Sequence, residues 1–218
     1  MINYLPPPHH QLDIQSCDDG ILVINKPAGL LSVPGRLKEH RDCMITRVQI
    51  DYPDALIVHR LDMSTSGLMV MARNKEAHRN LNRQFAQRLV DKSYLAIVYG
   101  FVKTATGTIN LPLICDWPNR PRQIVDHENG KSAQTGYRRI NYDLDSNTTR
   151  IQLNPRTGRT HQLRVHMQAL GHPILGDDLY ADETTLNMSD RLLLHAESLS
   201  FEHPLNQKPL SFTRPAPF

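Results

Sequence analysis

The densest group of reactive side chains lies between two apolar segments, in Val58-His59-Arg60-Leu61-Asp62-Met63-Ser64-Thr65-Ser66-Gly67. An acid flanked by Leu61 and Met63, just ahead of the apolar run at 67–72, is placed to be partly desolvated. Desolvation raises a carboxyl pKa and a neighbouring cation lowers it, so a carboxylate kept ionised for nucleophilic work needs a cation nearby. Taken alone, the stretch favours a plainer role for Asp62, capping a strand end or a turn. The second dense stretch is Asn154-Pro155-Arg156-Thr157-Gly158-Arg159-Thr160-His161-Gln162-Leu163-Arg164-Val165-His166. Three arginines around a glycine turn leading into a helix suit phosphate, because arginine forks and unpaired backbone N–H groups both favour anions. Arg164 lies one turn inside that helix, and a partly buried arginine needs a carboxylate partner. The alternatives are a solvent-facing arginine or a salt bridge that only holds the fold.

Other chemistries fail on spacing. His161 and His166 sit five apart with no Glu after His161, so the HExxH zinc pattern is absent. The eleven histidines, scattered apart from the adjacent His9 and His10, read as surface or structural residues. Neither GxSxG, a P-loop nor GxGxxG occurs. The three cysteines (Cys17, Cys43, Cys115) lack CxxC spacing, which points away from a disulfide framework or zinc ribbon and toward a reducing cytoplasm. No metal and no cofactor is expected.

The elements that must position these groups can be read coarsely. A chain of 218 residues, 39% hydrophobic and 22% charged, suits a folded protein that buries roughly 70% of its surface. No apolar run approaches the ~20 residues of a membrane span, and the first ten residues lack a signal-peptide pattern. Residues 21–25 and 67–72 read as buried strands, and 30–41 as an exposed loop. Over 74–89, Ala77, Leu81, Phe85 and Leu89 recur on one helical face, Lys75, Arg79 and Arg83 on another, with Asn74 as N-cap. Residues 94–99 return to strand, and the Pro-rich 111–131 reads as a long loop. A hairpin is expected from 137–142 and 148–153, then a helix from Thr160 to Leu170, then strands at 192–201 and 210–213. Strand pairs mixed with a few helices, without βαβ alternation, indicate an α+β protein with a mixed, largely antiparallel sheet. Charge is segregated: 36–92 holds eleven Lys/Arg against seven Asp/Glu, 118–170 nine against four, and 171–202 one against seven. Such a pattern suggests a basic surface for a polyanion, or charges that only decorate solvated faces.

Read together, several segments resemble the RluA family of pseudouridine synthases. They are His59-Arg60-Leu61-Asp62 with Thr65-Ser66-Gly67, Lys92-Ser93-Tyr94-Leu95-Ala96, Arg156 to His166 as quoted, and Leu193-Leu194-His195-Ala196. Leu31-Ser32-Val33-Pro34-Gly35-Arg36 and the stretch from Leu111 to Pro121 narrow the likeness to short members acting on both 23S rRNA and tRNA. The resemblance implies the fold of that family, with an active-site cleft across its sheet. It implies an N-terminal extension at 1–20, a catalytic domain at 21–218 and no S4 domain. It implies isomerisation of uridine to pseudouridine in 23S rRNA and the tRNA anticodon stem-loop, by glycosidic cleavage, base rotation and C5–C1′ bond formation.

By the same resemblance Asp62 is the catalytic aspartate, Arg164 its paired arginine and Tyr94 the tyrosine against the uracil. Whether Asp62 attacks C1′, assists sugar deprotonation or attacks the base stays open. A uridine in a stem-loop must leave its stack to react, and Arg60 is expected to fill the vacated space. Arg36, Arg79, Arg83, Arg120, Arg122 and Arg159 are candidates for phosphate contacts. The expected partner is RNA, with no membrane, for a cytoplasmic monomer. Two other readings remain: a non-catalytic RNA-binding or ribosome-assembly protein using the same basic groove, and a nucleoside hydrolase releasing free uracil.

Overall fold

Two strands of the chain are buried at almost every position and mostly apolar, as strands covered on both faces are: Ile21–Lys26 and Ser66–Ala72. The computed structural model describes residues 4–218. In chain order its elements are β1 (Ile14–Cys17), β2 (Ile21–Lys26), α1 (Met44–Asp51), β3 (Leu56–Ile57), β4 (Ser66–Ala72) and α2 (Lys75–Ala86). There follow β5 (Asp91–Tyr99), β6 (Thr106–Asn110), β7 (Leu113–Cys115), β8 (Gln123–Val125), β9 (Gln134–Asp143) and β10 (Thr148–Pro155). The last are α3 (Gln162–Ala169), α4 (Glu183–Leu186), β11 (Leu194–Glu202) and β12 (Pro209–Thr213). The α+β expectation, with largely antiparallel strands and few helices, is borne out. The chain divides into two compact units, one running to Lys92 and resuming over Ala196–Pro217, the other Ser93–His195.

In the first unit the strand order is β1-β2-β4-β11, with β3 on β4 and β12 on β11. Antiparallel pairing sets Val23 opposite Val70 and Ile21 opposite Ala72. Alternation then sends Ile21, Val23, Leu68 and Val70 to one face, where Ala77 and Leu81 of α2 close a core with Leu199 and Phe201. The Asn74 carboxamide caps α2 by accepting the Ala77 N–H at 2.8 Å, as its position ahead of the helical repeat predicts. Leu89, expected on the buried face, lies beyond the helix end and is exposed.

Three elements of this unit escape the sequence reading, the two-residue β3 among them. Strand β1 lies within the stretch read as an extension; it is short and polar, pairs with β2 through a bulge, and carries almost no apolar signal. Helix α1 follows the exposed loop and buries Arg47, which donates to the Asp42 carboxylate at 2.7 Å and to the Pro7 carbonyl at 2.6 Å. Tyr4 joins the same anchorage: its hydroxyl donates to the Asp42 carbonyl at 2.7 Å and accepts the Leu31 N–H at 3.1 Å.

In the second unit the order is β5-β10-β9-β6, antiparallel throughout. The expected hairpin is present as β9 and β10, with Tyr142 opposite Thr149 and Asn147 in the left-handed region at φ 49°. Its core joins Ala96, Val98, Ile151 and Leu153 to Leu163 and Met167 of α3. Helix α3 is preceded by His161 rather than Thr160; His161 takes φ 53°, and its ring is buried against Tyr180. The segment read as one long loop holds a second small sheet, β7 with β8, whose strands are too short to show a period.

Candidate active site

Asp62 stands on an irregular stretch between β3 and β4, and the loop after β2 grips its backbone on both sides. Before it, the buried Ser32 hydroxyl donates to the Leu61 carbonyl at 2.6 Å and accepts the Leu61 N–H at 3.1 Å. After it, the Met63 carbonyl accepts the Gly29 N–H at 2.9 Å and the Lys26 ammonium at 3.1 Å. Lys26 is 0% exposed and also donates to the carbonyls of Leu30 at 2.7 Å and Pro27 at 2.8 Å. One buried ammonium thereby closes the loop on itself and onto the residue following the acid. The Thr65 N–H returns to the Asp62 carbonyl at 3.2 Å, closing a turn. Asp62 as a whole is half-buried. A side chain on a backbone held this firmly is preorganised for a ligand.

The rest of the motif supports the same stretch. Gly67 has φ +118°, and a Cβ there would lie under 3.0 Å from the backbone of Ala196, so only glycine lets β4 meet β11 at this point. His59 stacks on Phe85 of α2 with centroids 4.6 Å apart, and its Nε2 accepts the Val70 N–H at 3.1 Å just past the end of β3. Burial, with the Lys92 charge adding to it, pushes the His59 pKa down from 6.5 to about 3. That imidazole is neutral and structural. Arg60 beside it is exposed, as are Arg36 in the loop and Arg79 and Arg83, one turn apart on α2.

In the second unit, Tyr94 lies on β5 opposite Leu153 of β10, half-buried against the core. Arg164 is buried on α3; its Nε donates to Asp177 at 2.8 Å and an Nη donates to Asp177 and Asp178 at 2.5 and 2.8 Å. Asp177, 0% exposed, accepts the N–H groups of Leu179 and Tyr180 as well, at 3.0 and 3.1 Å. The fold-holding salt bridge weighed for Arg164 is therefore present. Arg164 lies 5.2 Å from the Tyr180 ring centre and Arg122 5.5 Å, so one aromatic ring gathers two of the expected arginines. The Tyr180 hydroxyl bonds His161 Nδ1 at 2.7 Å and accepts the Gln123 N–H at 2.8 Å. Arg120 sits elsewhere, stacked on Trp117 at 4.7 Å.

The arginine-rich turn differs from the anion nest its sequence suggests. Gln162 folds back to accept the Thr157 hydroxyl at 2.7 Å and the Arg159 N–H at 3.0 Å, and it donates to the Gln134 carbonyl at 3.0 Å. With that N–H already used, the positive groups left exposed at this turn are the side chains of Arg156 and Arg159. Among the described residues no group of three or more His, Cys, Asp or Glu side chains is arranged to hold a metal ion.

Ser32, Lys26, Asp177 and Tyr180 were not singled out from the sequence. For Asp177 a signal existed: the acidic excess of 171–202 begins with Asp177-Asp178, and the buried arginine had been left in need of an acid. For Ser32 and Lys26 there was none, since their partners lie about 30 or more residues away or on bare carbonyls.

The family model for RNA pseudouridylate synthases matches residues 20–169, which carry both dense motifs and the whole of the Asp62 grip. The chain belongs to the RNA pseudouridylate synthase family. It is thereby an isomerase that acts on RNA. Among curated pseudouridine synthases it is 56% identical, over 218 residues, to the dual-specificity RNA pseudouridine synthase RluA of Escherichia coli K12, covering 100% of this chain and 99% of that protein. The protein of the same description from Vibrio vulnificus is 56% identical over 207 residues, covering 94% and 83% respectively. Of solved pseudouridylate synthase structures, human RNA pseudouridylate synthase domain containing 1 superposes with TM-score 0.82 at 30% identity, covering 98% of this chain and 87% of that one. Human RNA pseudouridylate synthase domain containing 4 gives TM-score 0.74 at 25% identity, covering 94% and 88%. No helix of the described residues is long and apolar enough to cross a membrane.

Proposed function

We propose that this protein converts uridine to pseudouridine in both 23S rRNA and the tRNA anticodon stem-loop, acting as a cytoplasmic monomer. The observation that carries this reading is full-length 56% identity to a dual-specificity synthase, joined to a half-buried acid whose backbone is held on both sides. In the reaction the N1–C1′ bond breaks, the uracil turns within the site, and C5 bonds to C1′. The proton leaves C5 and N1 gains one, so the product is an isomer. Asp62 is the group that acts on the uridine, Arg164 is the arginine that pairs with it and keeps it ionised, and Tyr94 lies against the uracil ring. Arg60, exposed beside Asp62, enters the space the flipped base leaves. Arg36, Arg79, Arg83, Arg120, Arg122 and Arg159 contact phosphates. The exposed thiol of Cys17 fits a reducing compartment.

Asp62→Ala tests the reading. Tritium release from RNA labelled at uridine C5 falls to background while RNA binding persists. Retained release overturns the role of Asp62. Binding without release by the native protein favours a non-catalytic RNA-binding protein, and free uracil among the products favours hydrolysis.

A further inference from the structure

The chain has one tryptophan, and it is not in a core: Trp117 is 65% exposed on the segment joining β7 to β8. Tryptophan is enriched at contact surfaces, where its large apolar face and its polar N–H are both used, and the place of this one is fixed. Three backbone bonds fold the tip: Asp116 N–H to the Arg122 carbonyl at 3.0 Å, Asn119 N–H to Asp116 at 3.1 Å, and Arg122 N–H to Asn119 at 3.1 Å. The Asn119 side chain donates to the Asp116 carboxylate at 2.9 Å, which keeps that negative charge engaged within the turn. At the other end Leu113 is buried with Val165 and Tyr180, and Val125 packs against them, so the hairpin is rooted while its tip is displayed. The Arg120 guanidinium lies 4.7 Å from the indole centre and its Nε donates to the Trp117 carbonyl at 3.3 Å. Aromatic face and cation therefore form a single surface, and Arg122 adds a second positive charge at the base of the tip.

Resting on the RNA-isomerase reading above, we propose that the β7–β8 tip is a recognition platform on which Trp117 stacks an unpaired base of the substrate loop, Arg120 serving the adjoining phosphate. A stacked base and a paired phosphate are what an indole beside a guanidinium satisfies together, and RNA is what the family acts on. Fully paired RNA keeps its bases in the stack and offers this platform only phosphates. The tip thus selects RNA by its loop rather than its stem.

Because Trp117 is the only indole, its fluorescence reports on this surface alone. The probe is a synthetic RNA hairpin bearing a tRNA anticodon loop, compared with the blunt duplex of its stem. The hairpin quenches the emission and the duplex does not. Trp117→Ala weakens hairpin binding about 5- to 150-fold with an unchanged slope of log affinity against log salt, and Trp117→Phe recovers most of the loss. Arg120→Gln instead makes that slope shallower. Native protein that binds and isomerises the hairpin with unmoved emission, or a Trp117→Ala protein binding within twofold of native, overturns the platform and leaves the isomerase standing. Equal losses on hairpin and duplex also overturn it. A native protein that binds no RNA overturns both readings.

Discussion

A hydroxyl that donates to the carbonyl and accepts from the N–H of one residue, as Ser32 does with Leu61, gives Asp62 its orientation without touching it. Ser32→Ala leaves two buried backbone groups without that partner, which costs about 1–3 kcal/mol of stability. The larger expected effect is kinetic, because a misplacement of about 1 Å can cost roughly a hundredfold in rate. Tritium-release kinetics should show kcat down about tenfold or more with KM within about twofold, and Ser32→Thr should restore much of the loss. A drop in stability alone, with native kcat, would show that the clasp serves only the fold. Asp62 and Arg164 were visible in the sequence because each is an ionisable residue set among apolar neighbours. Ser32 and Lys26 were not, because what makes them matter is a pair of distant carbonyls, and carbonyls are the same at every position. The Gln162 fold-back is invisible for a similar reason: the side chain that fills the nest lies in the helix the nest was expected to serve.

Elements show the same division. Strands β2 and β4, helix α2 with its Asn74 cap, and the β9–β10 hairpin were readable from period and turn chemistry, since each buries a regular face. Strands β1, β7 and β8 were not, because segments of three or four residues cannot display a period and are held by pairing. At the junction of β4 and β11, Gly67→Ala meets Ala196 backbone that cannot yield. The expected cost is about 3 kcal/mol or more, read as a fall in Tm of about 6–12 °C. His59 ties β4 to α2 and carries a pH signature. Its folded pKa of about 3 lies below the ordinary 6.5, so between those values the unfolded chain binds a proton that the folded protein does not. Stability from this group is complete above pH 6.5 and declines by about 1.4 kcal/mol per pH unit as the medium is acidified toward 3. Burial lowers the His166 pKa too, in the same direction, although its bond to the Leu111 carbonyl opposes the shift. Urea unfolding from about pH 7 down to 5 should show this decline, and His59→Gln should flatten it. An unchanged slope in that variant would place the titration elsewhere.

At the scale of the whole molecule, the uneven charge read from the sequence becomes a statement about salt. Affinity for RNA should fall steeply as salt rises, because each phosphate neutralised releases counterions. Arg79→Gln and Arg83→Gln should each make the slope shallower by about 0.7–1, so their defects are greater at low salt than at high. A parallel slope in either variant removes that arginine from the interface. The opening of the chain carries a different consequence. Tyr4 holds the Leu31 N–H, Leu31 adjoins Ser32, and Ser32 grips the peptide ahead of Asp62, the acid proposed to act on the uridine. Deleting residues 1–8 would thus unmoor a reactive centre some fifty positions downstream, and a change made for convenience at one end would register as slow chemistry.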